Sequence, residues 1–146
     1  MIVPSPDGMT RAMRAALEDA GVAIDYINTH ATSTPAGDLI ELEAIREVFG
    51  SQIPLISSTK GLTGHAIGAS GVHEVIYSLL MMQKGFVAAC ANLQSPDPAA
   101  QSYPLVTRCV ERSLQSVMSN SLGFGGTNAC LIFRNWQSET DLRHDA

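Results

Sequence analysis

The chain has 146 residues, of which 45% are hydrophobic and 16% are charged, and its formal net charge is −5. This composition is typical of one globular domain and excludes a disordered chain. The negative charge and the absence of a basic run argue against nucleic acid or an anionic membrane as the main partner. No run of about 18 apolar residues occurs, and no basic segment precedes an apolar one, so we expect neither a membrane-spanning helix nor a secretion signal.

The three cysteines show no spacing that is typical of metal ligands. Cys90, Cys109 and Cys130 each lie among apolar or mixed neighbours. This predicts buried free thiols in a reducing compartment. We therefore expect a cytoplasmic protein without a metal site.

The first elements predict a helix, a strand and then a loop with chemically active side chains. The helix is predicted over 9–19 and ends before Gly21, and the strand is predicted over 24–29. His30, Thr32 and Thr34 follow directly, at the kind of strand end where α/β folds keep their sites. A structural histidine and helix capping by the hydroxyls are the alternative interpretations.

A second helix is predicted from Pro35 to about Phe49, because proline suits the first turn of a helix and a glycine follows Phe49. Apolar residues recur on one face at helical spacing. Three acidic residues are predicted to face water on the other side: Glu41, Glu43 and Glu47.

An apolar run at 53–57 predicts a buried strand, which leads into the glycine-rich segment 58–71. Lys60 and His65 lie in that segment among small residues. Its glycines permit the close approach of other backbone or of a ligand. The helix start that follows presents free N–H groups, which favour developing negative charge nearby. A glycine-softened turn with a hydrogen-bonded histidine is the alternative interpretation.

A long helix is predicted from Gly71 to about Met82. It is apolar on much of its circumference, which predicts a buried helix rather than a superficial one. Glu74 would then be a buried carboxylate that needs a partner. An acid on the helix surface is the alternative interpretation.

The last part of the chain predicts mainly β structure. A strand is predicted over 86–91 and a surface loop over 92–104, whereas 105–114 is either an edge strand or irregular. Strands over 116–121 and 129–134 form a predicted hairpin, whose turn contains Phe124 and Gly125. The glycines of this turn free backbone N–H groups and make the Phe124 ring movable, although a plain hairpin turn is the alternative. Residues 137–146 read as a polar tail.

Three loops that follow strands thus carry His30, Lys60 with His65, and Phe124. Two imidazoles from separate loops, with glycine turns beside them, suit the stabilisation of an oxyanion or an enolate. The sequence contains no Walker loop and no Gly-x-Ser-x-Gly nucleophile elbow.

Residues 28–38, 58–71 and 120–128 resemble the matching segments of β-ketoacyl-acyl carrier protein synthases, condensing enzymes of the thiolase superfamily. Residues 45–50 and 77–81 are most similar to the synthase I group of bacterial type II fatty acid synthesis. The resemblance covers 1–136, in order and with family spacing, as the C-terminal half of such a synthase. It implies an α/β chain, the C-terminal half of a thiolase-like fold, in which a five-stranded mixed β-sheet is flanked by helices.

The resemblance implies decarboxylative Claisen condensation of malonyl-carrier protein with an acyl thioester in fatty acid chain elongation. No resident cofactor is implied, because phosphopantetheine arrives on the carrier protein. The implied partners are acyl carrier protein, the N-terminal half of the synthase and a second copy in a homodimer. The implied roles are malonyl binding and enolate stabilisation by His30 and His65, electrostatic support by Lys60, hydrogen bonding by Glu74, pantetheine contact by Thr32 and Thr34, and gating by Phe124 with Gly125 in support.

The chain departs from the family pattern at three points. Ala31 replaces a glycine that is usual in the family, and Leu122 replaces a phenylalanine beside the gate. No cysteine lies in the context of the family's nucleophile, which the resemblance places in the N-terminal half, so we expect this chain alone to be inactive. A catalytically silent fragment that binds a partner synthase half or carrier protein is the alternative hypothesis. A glycine-loop phosphate site is disfavoured, because the glycines fit no phosphate-binding spacing.

Overall fold

The computed structural model describes residues 5–136, so the predicted polar tail at 137–146 lies outside the described residues. The helices and strands of this part follow in chain order: α1 (Pro6–Ala20), β1 (Tyr26–Asn28), α2 (Gly37–Phe49), β2 (Leu55–Ser57), α3 (Lys60–Thr63), α4 (Ser70–Lys84), β3 (Phe86–Val87), β4 (Val110–Glu111), β5 (Ser116–Leu122) and β6 (Asn128–Arg134).

A four-stranded mixed sheet with the order β2-β1-β5-β6 organises the chain. The central strand β1 runs parallel to both neighbours, and Asn28 pairs with Ser57 on one side and with Ser119 on the other. β5 and β6 form the predicted antiparallel hairpin. Because β1, β2 and β5 are parallel, their carboxyl ends open onto one edge of the sheet, and the three loops of interest leave from that edge.

Helices cover both faces of this sheet. Packing of α1 and α2 on one face forms an apolar core that includes Met9, Met13 and Ile45. On the other face, α4 contributes Met81 to a second core that contains Tyr26 and Val117. The α/β architecture, a mixed sheet flanked by helices, is therefore confirmed.

Several predicted bounds differ from the structure, most of them by one or two residues. α1 begins at Pro6 rather than at residue 9, because a proline fits the first turn of a helix. The strand predicted over 86–91 contains only Phe86–Val87, which pairs with Val110–Glu111 in a small separate sheet. The main sheet has four strands in the described residues, whereas the resemblance implies five, and Leu105 adds a single parallel bridge to Ile56.

The long helix α4 is buried on one side and leaves an apolar face exposed, as the resemblance implies for this chain without the N-terminal half of a synthase. Val72, Ile76, Leu79 and Leu80 of α4 are 42–63% exposed. Leu62 and Ile67, which precede α4, are 67% and 83% exposed, and we call these six exposed apolar side chains the α4 face. The sequence pattern correctly identified these residues as apolar, but nothing within the described residues covers them.

The cysteine prediction is also only partly correct. All three thiols are free, and Cys90 and Cys130 are half-buried, but Cys109 is exposed next to β4. No helix in the described part of the chain is long and apolar enough to cross a membrane.

We predict that Gly61→Ala destabilises the fold by about 1–3 kcal/mol, because its Cβ would lie 2.6 Å from the carbonyl oxygen of Ala91. Gly68→Ala is the matched control, since nothing lies within 4 Å of a Cβ at that position. Urea unfolding of both variants measures the difference. Equal stabilities would contradict the close approach of the two loops.

Candidate active site

Two histidines from different loops meet at the carboxyl edge of the sheet. His30 follows β1, and His65 follows α3. Their ring centroids are 5.4 Å apart and the planes are inclined by 85°, an edge-to-face arrangement. The structure therefore brings together the two imidazoles that the sequence placed in separate loops.

Ser70 orients the ring of His65. Its Oγ lies 2.7 Å from Nδ1 of His65, and Ser70 itself is buried at the start of α4. Because this contact engages Nδ1, Nε2 is the ring nitrogen of His65 left for another partner.

A buried ion pair lies beside the histidines. Nζ of Lys60 contacts Oε1 of Glu74, and the two side chains are 6% and 3% exposed. Glu74 is thus not a surface acid, and its predicted need for a partner is met by Lys60. The pair joins the loop that follows β2 to the first turns of α4.

The surroundings shift the pKa values of this cluster. Burial is the main reason why the pKa of His30 falls from 6.5 to about 4, and the nearby charges of Lys60 and His65 lower it further. His30 is therefore a neutral imidazole at pH 7. Burial raises the pKa of Glu74, although its hydrogen bond to Lys60 opposes that change.

Glu41 supports the His30 loop, and its predicted position facing water is wrong. It is only 1% exposed. Oε1 of Glu41 accepts the backbone N–H of His30 at 3.0 Å, and Oε2 accepts that of Ala31 at 2.9 Å. The side-chain amide of Asn120 also donates to Oε1 at 3.1 Å. The carboxylate thereby fixes the backbone that presents His30.

Sequence reasoning missed Glu41 because it was classified by charge alone. Its position one helical turn before the buried Ile45 was a usable signal, since residues four apart lie on one face of a helix. Glu43 and Glu47 of the same helix are exposed as predicted.

Five buried polar side-chain atoms have no hydrogen-bond partner among the described residues. They are Oδ1 of Asn28, Nδ1 of His30, Oε2 of Glu74, Oγ of Ser119 and Oδ1 of Asn120. Within residues 5–136, no group of three or more His, Cys, Asp or Glu side chains is arranged to hold a metal ion.

A cavity of about 600 Å³ opens beside the cluster. Thr32, Thr34, Lys60 and His65 line it, which brings four of the predicted site residues onto one surface. The hydroxyl of Thr34 also accepts the N–H of Gly37 at 3.2 Å, so the helix-capping interpretation holds for that residue as well. The rest of the wall is partly apolar and includes Leu39, Leu42, Ile56, Ala100 and Leu105.

Phe124 and Gly125 are not in contact with this cluster. The Phe124 side chain is fully exposed, and neither residue lines the cavity. Gly125 has a φ of 79°, which favours glycine, and the N–H of Gly123 closes the turn by donating to the carbonyl of Thr127 at 2.7 Å. The turn follows directly from β5, on which α4 packs.

Fold and site together define the C-terminal part of a thiolase-like ketosynthase. A family model described as the C-terminal domain of beta-ketoacyl synthases matches residues 1–94. The chain belongs to the β-ketoacyl synthase family.

Curated relatives agree with this assignment. The chain is 52% identical to 3-oxoacyl-[acyl-carrier-protein] synthase 1 of Escherichia coli K12 over 92% of its own length and 33% of the relative. It is 53% identical to the synthase 1 of Haemophilus influenzae over 93% of the chain and 34% of that relative. The resemblance to the synthase I group is confirmed, and the chain spans about a third of the length of these relatives.

Solved structures show the same fold. A β-ketoacyl synthase from Burkholderia phymatum superposes with a TM-score of 0.88 at 39% identity, covering 94% of this chain and 34% of that one. A type II polyketide ketosynthase, solved in complex with its acyl-carrier protein, gives a TM-score of 0.86 at 29% identity over 94% of this chain and 35% of its own.

We predict that Glu41→Gln lowers the free energy of unfolding by about 1–3 kcal/mol, because the new amide group would face a backbone N–H in place of an acceptor oxygen. Glu43→Gln on the exposed side of α2 is the matched control and should change it by less than about 0.5 kcal/mol. Urea unfolding measures both, and the NMR shifts of the His30 ring report whether its loop has moved. If Glu41→Gln changed neither the free energy of unfolding nor the shifts of the His30 ring, Glu41 would not hold the backbone at His30.

A second prediction concerns pH. Between pH 7 and pH 5 the unfolded chain binds a proton at His30 that the folded chain does not, since the folded pKa is about 4 and the unfolded value is 6.5. Stability therefore falls as the pH drops through this interval. His30→Gln removes this contribution, so the variant should lose less stability than the wild type. Urea unfolding at both pH values tests this, and equal losses would contradict a depressed pKa.

Proposed function

We propose that this chain is the malonyl-activating part of a β-ketoacyl-acyl carrier protein synthase, which acts in fatty acid chain elongation. The observation that supports this most directly is the contact between the His30 and His65 rings above a buried Lys60–Glu74 pair. The identity to curated 3-oxoacyl-[acyl-carrier-protein] synthases adds support.

In this proposal, the histidines bind the carbonyl oxygen of the malonyl thioester. The bond between the α-carbon and the carboxylate breaks and carbon dioxide leaves. The electron pair of that bond stays with the α-carbon and is delocalised onto the thioester oxygen as an enolate. N–H groups of two imidazoles stabilise the charge on that oxygen. The depressed pKa of His30 is compatible with this role, because the neutral imidazole still carries one N–H that can donate a hydrogen bond.

Lys60 has two functions in the proposed site. Burial is the main cause of the lowered pKa of His30, and the charge of Lys60 lowers it further, which favours the neutral ring. The ion pair of Lys60 with Glu74 also holds the loop that carries His65 against α4. The enolate carbon then attacks the carbonyl carbon of an acyl thioester that a cysteine of the N-terminal part holds. The C–S bond of that thioester breaks, the cysteine leaves as a thiolate, and the β-ketoacyl product remains on the carrier protein.

The cavity beside the histidines is the proposed path for the substrate arm. Thr32 and Thr34 line it and would contact phosphopantetheine, which the carrier protein brings, so no resident cofactor is required. Phe124 would act as the gate. Its complete exposure and the positive φ of Gly125 are compatible with a turn that moves. Acyl carrier protein is accordingly the proposed partner, and the cytoplasm is the proposed compartment.

The α4 face suits the proposed N-terminal half of the synthase. Its six apolar side chains are exposed in this chain, and an exposed apolar patch of this kind marks a protein interface. The relatives are about three times as long as this chain, so each contains further sequence to cover such a face. A homodimer of the complete synthase is part of the proposal.

The alternative is a catalytically silent fragment that binds a synthase half or carrier protein without turnover. The same exposed α4 face favours it, and none of the three cysteines lies in a sequence context that matches the family's nucleophile. The two hypotheses differ in whether the histidines perform chemistry after the halves associate.

The decisive experiment combines this chain with a separately made N-terminal part of a relative such as the Escherichia coli synthase 1. We expect the mixture to release carbon dioxide from malonyl-acyl carrier protein. His30→Ala and His65→Ala should each lower the rate by at least about a hundredfold, since each removes a donor to the enolate. Gln52→Ala, an exposed position between α2 and β2, is the control and should leave the rate unchanged.

Folding and association of each mixture are verified by circular dichroism and size-exclusion chromatography. No release of carbon dioxide from a folded and associated mixture would contradict the enzymatic proposal and favour the silent fragment. Release that persists in both histidine variants would reject their proposed role.

A further inference from the structure

One wall of the cavity is a segment without regular sheet structure. Residues 92–104, which we call the strap, connect the end of the loop after β3 to the bridge at Leu105. Five of them line the cavity: Asn92, Leu93, Pro96, Asp97 and Ala100. The position of the strap therefore determines how wide the cavity is.

Backbone hydrogen bonds hold the C-terminal end of the strap. The N–H of Ile56 in β2 donates to the carbonyl of Pro104 at 3.0 Å, and Val106 donates to Ile56 at 2.9 Å. At the other end, the side-chain amide of Asn92 donates to the carbonyl of Gly61 at 3.1 Å. The C-terminal end of the strap is thus bound to β2, and the N-terminal end is bound to α3, the helix that contains Lys60.

A side chain of α2 holds the strap near its C-terminal end. Nη2 of Arg46 donates to Oγ of Ser102 at 2.7 Å. The same guanidinium lies 4.2 Å from the ring centroid of Tyr103, within the range of a cation–π interaction. Arginine suits both contacts, because its planar group stacks on a ring and still donates at its edge.

The helix that carries Arg46 also supports the opposite wall. Glu41 of α2 binds the backbone of His30 and Ala31, and the loop that continues from there contributes Thr32 and Thr34 to the cavity. Two side chains of one helix, Glu41 and Arg46, therefore contact both the 30–34 loop and the strap, in addition to the bonds that tie the strap to β2 and α3.

We propose that Arg46 is a positioning residue, which holds the strap closed through Ser102 and Tyr103 and so sets the width of the cavity for the substrate arm. The ligand class, a pantetheine thioester, rests on the proposed function. The contacts of Arg46 with Ser102 and Tyr103, which we call the latch, do not rest on the proposed function, because they lie within this chain.

Alkylation of Cys90 tests the latch directly. Cys90 lines the cavity and is half-buried, whereas Cys130 is half-buried in β6, away from the strap, and serves as an internal control. In Arg46→Ala and Tyr103→Leu, we expect iodoacetamide to modify Cys90 about threefold to tenfold faster than in the wild type, at an unchanged Cys130 rate. Tyr103→Phe keeps the ring and should behave like the wild type. Mass spectrometry of the peptides measures each rate.

Two results would overturn the proposal. Unchanged modification of Cys90 in both variants would show that Arg46 does not hold the strap. Equal acceleration at Cys90 and Cys130 would show general destabilisation instead of local opening. Arg11→Ala, which removes an exposed ion pair to Asp7 on α1, is the control for loss of a surface arginine and should change neither rate.

Binding of malonyl-pantetheine to the full chain links the latch to the substrate. We expect calorimetry to show a dissociation constant about threefold to tenfold higher for Arg46→Ala than for the wild type or Tyr103→Phe. Equal dissociation constants for Arg46→Ala and the wild type would show that Arg46 does not affect binding of the pantetheine thioester. If neither the wild-type chain nor the variant bound the thioester, alone or mixed with the N-terminal part, while Cys90 reacted as expected, the contacts of Arg46 would be supported and the proposed function contradicted.

Discussion

The buried ion pair between Lys60 and Glu74 is the interaction on which the site depends. Removing either charge from water is costly, and the mutual attraction offsets that cost only while both partners remain in place. The pair joins the loop after β2 to α4, which also provides Ser70 as the partner of His65. Loss of one charge would therefore affect the position of His65 and the electrostatic environment of His30 together.

A second buried carboxylate performs a different task. Glu41 binds no cation among the described residues but accepts two backbone N–H groups and one side-chain amide. These bonds fix the backbone at His30. Burial lowers the pKa of its ring, and the charge of Lys60, which is paired with Glu74, lowers it further.

The described residues also leave a surface that folding within this chain does not bury. The α4 face is apolar, yet its side chains remain 42% or more exposed. The histidines lie at the carboxyl edge of the same sheet on which α4 packs, so a partner that covers this face would also approach the site. A single bound partner could therefore both cover the α4 face and contact the histidine site.

The sequence by itself determined most of the secondary structure and the identity of the chemistry-bearing loops. Helical spacing identified α2 and α4, and the apolar runs identified β1, β2 and the β5–β6 hairpin, because local periodicity reflects which face of an element is apolar. Placing His30, Lys60 and His65 directly after strands was enough to predict that they meet at one edge of the sheet. The family segments led to the same residues.

Only the tertiary structure decided which polar groups are buried and what they contact. Glu41 and Glu43 are both acids on α2, yet one holds the His30 backbone and the other faces solvent, since Asn120 and the 30–31 loop come from distant parts of the chain. The exposed α4 face is apolar by sequence, and its lack of cover depends on what else packs there. The latch between Arg46 and Tyr103 likewise joins residues far apart in sequence, whose proximity no local pattern encodes.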